Sequence, residues 1–254
     1  TSQTRKAANS EELLVSLGDG ATAGEKRRLD RARETGGWLN ILPDSLNGTE
    51  LSTEEFRDSL RIRLGFTPTA LPEKCDGCGH CFTVEHALTC KKGGLVLLRH
   101  NDLAAEWHEL CATALTPSAV SDEPLIHSGR VTQGATGGGH NAGRREPNGN
   151  NPDPRELRGD ISAHGFWRRG TTAIFDVRIA DTDAPTYRGQ DPKKVLARHE
   201  KEKKDKYLDA CIERRRQFTP LVYSVDGMMG SEARAASKRL TLVIHLIASA
   251  VQRG

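Results

Sequence analysis

Four cysteines, Cys75, Cys78, Cys81 and Cys90, crowd into sixteen residues. Within them the spacing Cys75-x2-Cys78-x7-His86-x3-Cys90 places four soft ligands in one short segment. Tetrahedral zinc takes four such Cys and His ligands, so this spacing predicts a small zinc knuckle. The opening Cys-Asp-Gly-Cys-Gly supplies a tight turn that lets backbone N–H groups approach the thiolates. His86 and Cys90 stand one helical turn apart and can face one ion. His80 and Cys81, inside the loop, are alternative ligands, and the competing reading is a set of buried free thiols. Cys111 and Cys211 stand alone. Clustered rather than dispersed cysteines point to a metal site in a reducing, intracellular compartment, not to a disulfide framework.

The 254 residues suit one or two domains, and 36% apolar with 28% charged residues fits a globular chain with some loose segments. The net charge of +3 says little about partners; the distribution of charge says more. The longest apolar run, Leu242–Val251, contains His245 and is too short to span a bilayer, so no membrane partner is expected. Thr1–Ser10 is polar and carries no signal-peptide pattern, and the absence of an initial Met suggests a fragment or processed piece.

Residues 1–24 read as a loose N-terminal segment. Residues 25–70 read as helical, with a helix over 25–37 stopped by a Gly pair, and a second over Thr53–Leu64, where Phe56, Leu60 and Leu64 recur four apart. The knuckle occupies 71–95, and a second domain fills 96–254. Its expected order is a helix over Arg99–Leu115 (Leu103, Trp107, Leu110 and Ala114 at helical spacing), a strand at Asp122–Ile126, and strands at Asp160–Trp167 and Thr172–Ala180. A charged helix over 192–216, a strand at Phe218–Val225 and a helix at Ser231–Gln252 complete it. Residues 128–155 are dense in Gly, Asn and Pro and read as a flexible loop. The literal Pro152-Asp153 lies inside that loop and is not expected to hold a ligand rigidly.

The Asp160 and Thr172 strands form a hairpin that brings Asp160 and Asp176 together. Paired carboxylates at one sheet end make a site for a hard cation such as Mg2+, which activates water and stabilises charge on a phosphate. Arg178 follows two residues after Asp176, on the same strand face. Between Pro192 and Gln217 ten Lys/Arg stand against five Asp/Glu, with Lys201, Lys203, Lys204, Lys206 and then Tyr207. This helix can aim one lysine into the site while others meet backbone phosphates. The bland reading is a solvated helix face with i,i+4 pairs.

Several segments resemble the C-terminal region of non-LTR retroelement polyproteins. They are Cys75-Asp-Gly-Cys, Glu85-His86-Ala-Leu-Thr-Cys90, Lys92-Gly-Gly-Leu-Val, Arg99-His100-Asn101, Gly159-Asp160-Ile161, Phe175-Asp176-Val177-Arg178, Asp181-Thr-Asp-Ala-Pro-Thr-Tyr187 and Lys203-Lys-Asp-Lys206-Tyr207. In that family a Cys-Cys-His-Cys knuckle precedes a restriction-like PD-(D/E)XK endonuclease. The resemblance covers roughly 70–250. It implies an α/β fold with a mixed-sheet restriction-endonuclease-like core flanked by helices and preceded by a small zinc knuckle. By the same resemblance Cys75, Cys78, His86 and Cys90 hold structural Zn2+, while Asp160 and Asp176 hold catalytic Mg2+. The catalytic lysine moves to the following helix as Lys203 or Lys206 beside Tyr207, and Glu109, Glu106 or Glu123 supports the metal. The implied activity is a DNA nick that primes integration, on nuclear DNA, with element RNA as a further partner. Two departures stand out: Gly159 replaces the family's proline, and Arg178 stands where many relatives outside retroelements have lysine and cannot shuttle a proton. No Tyr-x-Asp-Asp polymerase motif occurs, so residues 25–70 are the candidate remnant of a reverse transcriptase. The alternatives are a non-catalytic zinc-containing nucleic-acid-binding module and an inactive element fragment.

Overall fold

The structure is a computed structural model that describes residues 16, 19–46, 48–92, 94–127, 156–187 and 189–251, with the side chains of 245–251 left aside. The 128–155 loop, Pro152-Asp153 and most of the 1–24 segment therefore lie outside the described residues. The chain forms two compact units. The first comprises Thr1–Asn101, Ile179–Arg198 and Val222–Gly230, and the second Asp102–Arg178, His199–Leu221 and Ser231–Gly254.

Helices in the first unit start and stop where side chains satisfy the end groups of the backbone. Helix α1 (Ala23–Glu34) begins on a capping box in which Thr22 accepts from the Glu25 N–H and Glu25 reaches back to the Thr22 N–H. Helix α2 (Thr53–Leu64) repeats the device with Ser52 and Glu55 and ends on Gly65 at φ 85°, a left-handed turn that favours glycine. Trp38 meets Phe56 edge to face at 5.9 Å. A short helix, α3 (Val84–Thr89), capped by Thr83, carries the second half of the knuckle. Ala180, Leu196, Val222 and Met228 form a small apolar cluster of this unit.

The second unit holds most of a four-stranded sheet. Helix α4 (Leu95–Ala114) leads to β1 (Val120–Asp122). The expected continuous strand over Asp122–Ile126 is broken: β1 stops at Asp122 and β2 resumes at Leu125–His127. Pro124 lacks a ladder N–H, and Glu123 adopts φ 44°, so the chain turns between them. Strand β2 pairs instead with the short β3 (Leu157–Arg158), which sequence periodicity does not disclose.

The main sheet has the order β1-β4-β5-β6, with β4 at Ile161–His164, β5 at Thr172–Ala180 and β6 at Gln217–Ser224. Strand β4 pairs antiparallel with both β1 and β5. Helix α5 (Pro192–Glu213) carries the chain from β5 back to β6, which makes the sheet mixed. Residues Ala173–Val177 of β5 are all buried, as the near-continuous apolar run predicts for a strand covered on both faces. Phe175 stacks on Trp107 of α4 at 6.1 Å and meets Phe166 edge to face at 4.9 Å. Ile126, Ile174, Tyr207, Cys211 and Phe218 make a second cluster. Helix α6 (Ser231–Val251) is anchored by Glu200, whose carboxylate accepts from Ser231 Oγ at 2.7 Å and from the Glu232 N–H at 2.9 Å. The protein is thus a mixed α/β fold with helices packed around a mixed sheet, and no helix among the described residues is long and apolar enough to cross a membrane.

Candidate metal centre and carboxylate–lysine site

The knuckle is a local construction. Residues Lys74 and Cys81 bridge antiparallel, the Cys75 N–H donates to the His80 carbonyl at 2.8 Å, and the Gly79 N–H returns to the Cys75 carbonyl at 2.8 Å. Gly79 takes φ 73°, which closes the turn. On α3 the Cys90 N–H donates to the His86 carbonyl at 2.8 Å, so both ligands share one helical face. The ligand atoms of Cys75, Cys78, His86 and Cys90 all lie within 4.8 Å of one another. Cys75 and Cys90 sulfurs are 3.9 Å apart, Cys78 and Cys90 3.8 Å, and Cys78 Sγ lies 3.2 Å from His86 Nε2. Zinc–sulfur bonds of about 2.3 Å in a tetrahedron set sulfur–sulfur edges of about 3.8 Å, so this Cys3His cluster has the dimensions to hold a metal such as zinc. His80 and Cys81 are exposed and stand outside the four-ligand group; His80 Nδ1 turns to the Cys78 carbonyl at 3.2 Å.

The second constellation is assembled over a longer stretch of chain. The ladder of β4 on β5 ends at Ile161↔Phe175, and Asp160, one residue before it, lies near enough to Asp176 for its charge to act on that carboxyl. The Asp160 N–H donates to the Phe175 carbonyl at 2.9 Å, and its carboxylate accepts from the Val177 N–H at 2.5 Å. Asp176 is 4% exposed. From α5, Lys203 forms an ion pair with Asp176 Oδ2. That buried oxygen receives no hydrogen bond at a proper angle, so Coulomb attraction rather than a directed bond joins the pair.

Burial pushes the Asp176 carboxyl above the usual aspartate range; Lys203 opposes the rise and the Asp160 charge adds to it. Burial, together with the negative charge of Asp176, holds the Tyr207 phenol protonated far above neutral pH. Lys206 donates to the Tyr207 hydroxyl at 2.6 Å and lies 4.4 Å from its ring centroid, while Lys203 lies 5.8 Å from the same centroid.

The remaining expected residues take other places. Arg178 pairs with Glu202 Oε2 at 2.8 Å, so its guanidinium is committed to α5. Lys204 pairs with Glu232, and Lys201 is exposed near Asp205 at 3.9 Å. Glu106 and Glu109 are exposed on α4. Glu123 is tied to Asp160, but through its backbone N–H, which donates to the Asp160 carbonyl at 2.9 Å.

Two features escape sequence reasoning. His199, 1% exposed, places Nδ1 3.1 Å from Glu202, and this contact is the foremost cause that keeps Glu202 below its ordinary pKa. Its only sequence signal is an i,i+3 spacing on a charged helix. Gly159 is buried, and a Cβ there would lie 2.5 Å from Ile174 Cγ2 and 3.1 Å from the Phe175 carbonyl. Its N–H also donates to the Pro124 carbonyl at 3.1 Å, a bond a proline could not make. The glycine before Asp160 is therefore demanded by close packing on β5.

The first unit also contains a cavity of about 950 Å³ lined by Arg31, Trp38, Arg63, His80 and Asp181 among others. Arg31, nearly buried, is paired with Asp183 and Asp226. Neither the carboxylate pair nor Lys203 lines this cavity. No known protein family matches the chain, and no curated protein does.

Proposed function

We propose that this chain is a metal-dependent DNA endonuclease of the restriction-like PD-(D/E)XK type, carried at the C-terminal end of a non-LTR retroelement polyprotein and nicking nuclear DNA to prime integration. The observation that carries the reading is the meeting of Asp160, just before β4, with Asp176 in the middle of β5 and Lys203 of α5, with Tyr207 beside them. The strand–strand–helix–strand order around that site agrees with a restriction-like core.

Two neighbouring carboxylates suit a hard divalent cation, which would compete with Lys203 for Asp176 Oδ2. Asp160 and Asp176 would hold Mg2+, which supplies a polarised water and neutralises charge on the phosphate. The chain's own residues do the rest. Lys203 presents an ammonium where negative charge builds on the phosphodiester. Tyr207, kept protonated by burial and by the Asp176 charge, accepts from Lys206 and helps position that ammonium beside the site. Arg178, clamped by Glu202, keeps its charge and serves positioning rather than proton transfer. The knuckle, with Zn2+ on Cys75, Cys78, His86 and Cys90, acts as a structural brace.

The test is Mg2+-dependent nicking of supercoiled plasmid. Asp176→Ala abolishes nicking while DNA binding persists; nicking that survives this change sinks the assignment. One observation favours a second, non-catalytic reading: Lys203 directly neutralises Asp176, as a structural ion pair would. On that reading the unaltered chain binds nucleic acid and never nicks it with any divalent cation.

A further inference from the structure

An arginine cluster at the other end of β5 has no part in the carboxylate site. The turn between β4 and β5 is closed by the Gly165 N–H on the Thr171 carbonyl at 2.8 Å and by the Thr171 N–H on the Arg168 carbonyl at 3.3 Å. It exposes Arg168 and Arg169. Beside it lies the turn from α5 into β6, where the Arg214 and Arg216 N–H groups donate to the Cys211 carbonyl and the Arg215 N–H to that of Ile212. The two turns touch: Thr171 Oγ1 donates to Gln217 Oε1 at 3.1 Å and Trp167 Nε1 to Thr219 Oγ1 at 3.0 Å. Arg214 and Arg215 are exposed as well, and Arg215 holds φ 54°, a left-handed conformation uncommon for a side-chain-bearing residue.

None of these four guanidiniums has a hydrogen-bond or ion-pair partner among the described residues, and Glu213 is the only acid in the two turns. Four exposed guanidiniums on two touching turns, set against one glutamate, make a locally positive surface that attracts anions. Arginine is also the side chain best matched to phosphate. Thr172 begins β5 and Asp176 follows four residues on, a separation of about 13 Å at the rise of a strand. That is about four base-pair steps of B-DNA, so one duplex has the reach to cover both places.

We propose that Arg168, Arg169, Arg214 and Arg215 form a binding surface for the phosphodiester backbone of duplex DNA flanking the cut. The choice of DNA rests on the endonuclease reading; the choice of a polyanion rests on the four exposed arginines. The experiment measures fluorescence anisotropy of a mixed-sequence duplex on the full chain, without divalent cation, over a salt series. Each phosphate contact adds about 0.9 to the slope of log affinity against log salt. Replacing all four arginines by Gln is expected to flatten the slope by about three to four, with unchanged thermal melting, and replacing them by Lys to retain most of it. A Gln variant with the slope of the unaltered chain overturns the proposal. So does an effect confined to an RNA hairpin and absent from the duplex. A flattened slope in a chain that never nicks sinks the nuclease reading and leaves this surface standing. Nicking with an unchanged slope does the reverse.

Discussion

The knuckle and the carboxylate site are both clusters of potential metal ligands, yet they are built in opposite ways. The knuckle takes its four ligands from sixteen consecutive residues and fixes them with a turn and a helix of six residues. Its parts are short-range, so little chain entropy opposes the assembly, and an ion held there would supply most of the order. The carboxylate site draws Asp160 from the approach to β4, Asp176 from β5 and Lys203 from α5. Its geometry is held by the strand pairing and by burial of β5. A site fixed by its metal fails when the metal leaves; a site fixed by its scaffold loses its chemistry and keeps its shape.

That contrast can be broken at several points. The largest effect belongs to the knuckle. Structural zinc sites carry apparent binding energies of about 10–16 kcal/mol, so Cys75→Ser should empty the site and unfold residues around it. Elemental analysis reads the zinc and amide exchange reads the local order; full zinc content in the variant refutes the ligand set. At the scaffold-fixed site, Asp176→Ala should lower nicking by about a thousandfold while the melting transition remains cooperative. A collapse of the fold in that variant would erase the contrast.

A pH series sharpens the same comparison. Burial raises the Asp176 pKa, so the carboxylate form needed for a cation is present only above that raised value. Nicking should rise with pH along a limb displaced upward from the ordinary aspartate range. Lys203 opposes the rise, so Lys203→Met should move the limb higher still; a limb at the ordinary aspartate value would show that Asp176 does not control it.

Smaller effects test the packing. Gly159→Ala forces a methyl into Ile174 and the Phe175 carbonyl and should destabilise the second unit by about 1–3 kcal/mol, seen as a lower denaturation midpoint with unchanged zinc. The smallest change is expected from Glu202→Gln. Its pair with Arg178 is partly exposed, and the loss should stay within about 1 kcal/mol; a much larger loss would make the Arg178–Glu202–His199 contact a principal support of α5.

Legibility in the sequence followed the range of the interactions. The bounds of α2 and β5 are legible because a capping serine, a terminal glycine and a continuous apolar run act within a few residues. The break at Glu123–Pro124 was harder to read, since the apolar pattern runs on through it while the missing proline N–H does not permit a ladder. The pairing of β2 with β3 depends on residues about thirty positions apart and leaves no local mark.

By itself the sequence determined the four-ligand knuckle, the hairpin that brings Asp160 near Asp176 and the lysine-bearing helix after it. Each is specified by spacing and periodicity along a short stretch of chain. Only the tertiary structure decided which cations do what. Lys203 rather than Arg178 reaches Asp176, Arg178 turns to Glu202, Lys206 meets Tyr207, and Gly159 is squeezed against Ile174. Those outcomes depend on how α5 packs on β5, and the azimuth of a helix on a sheet is set by the whole packed core, not by the charges the helix carries.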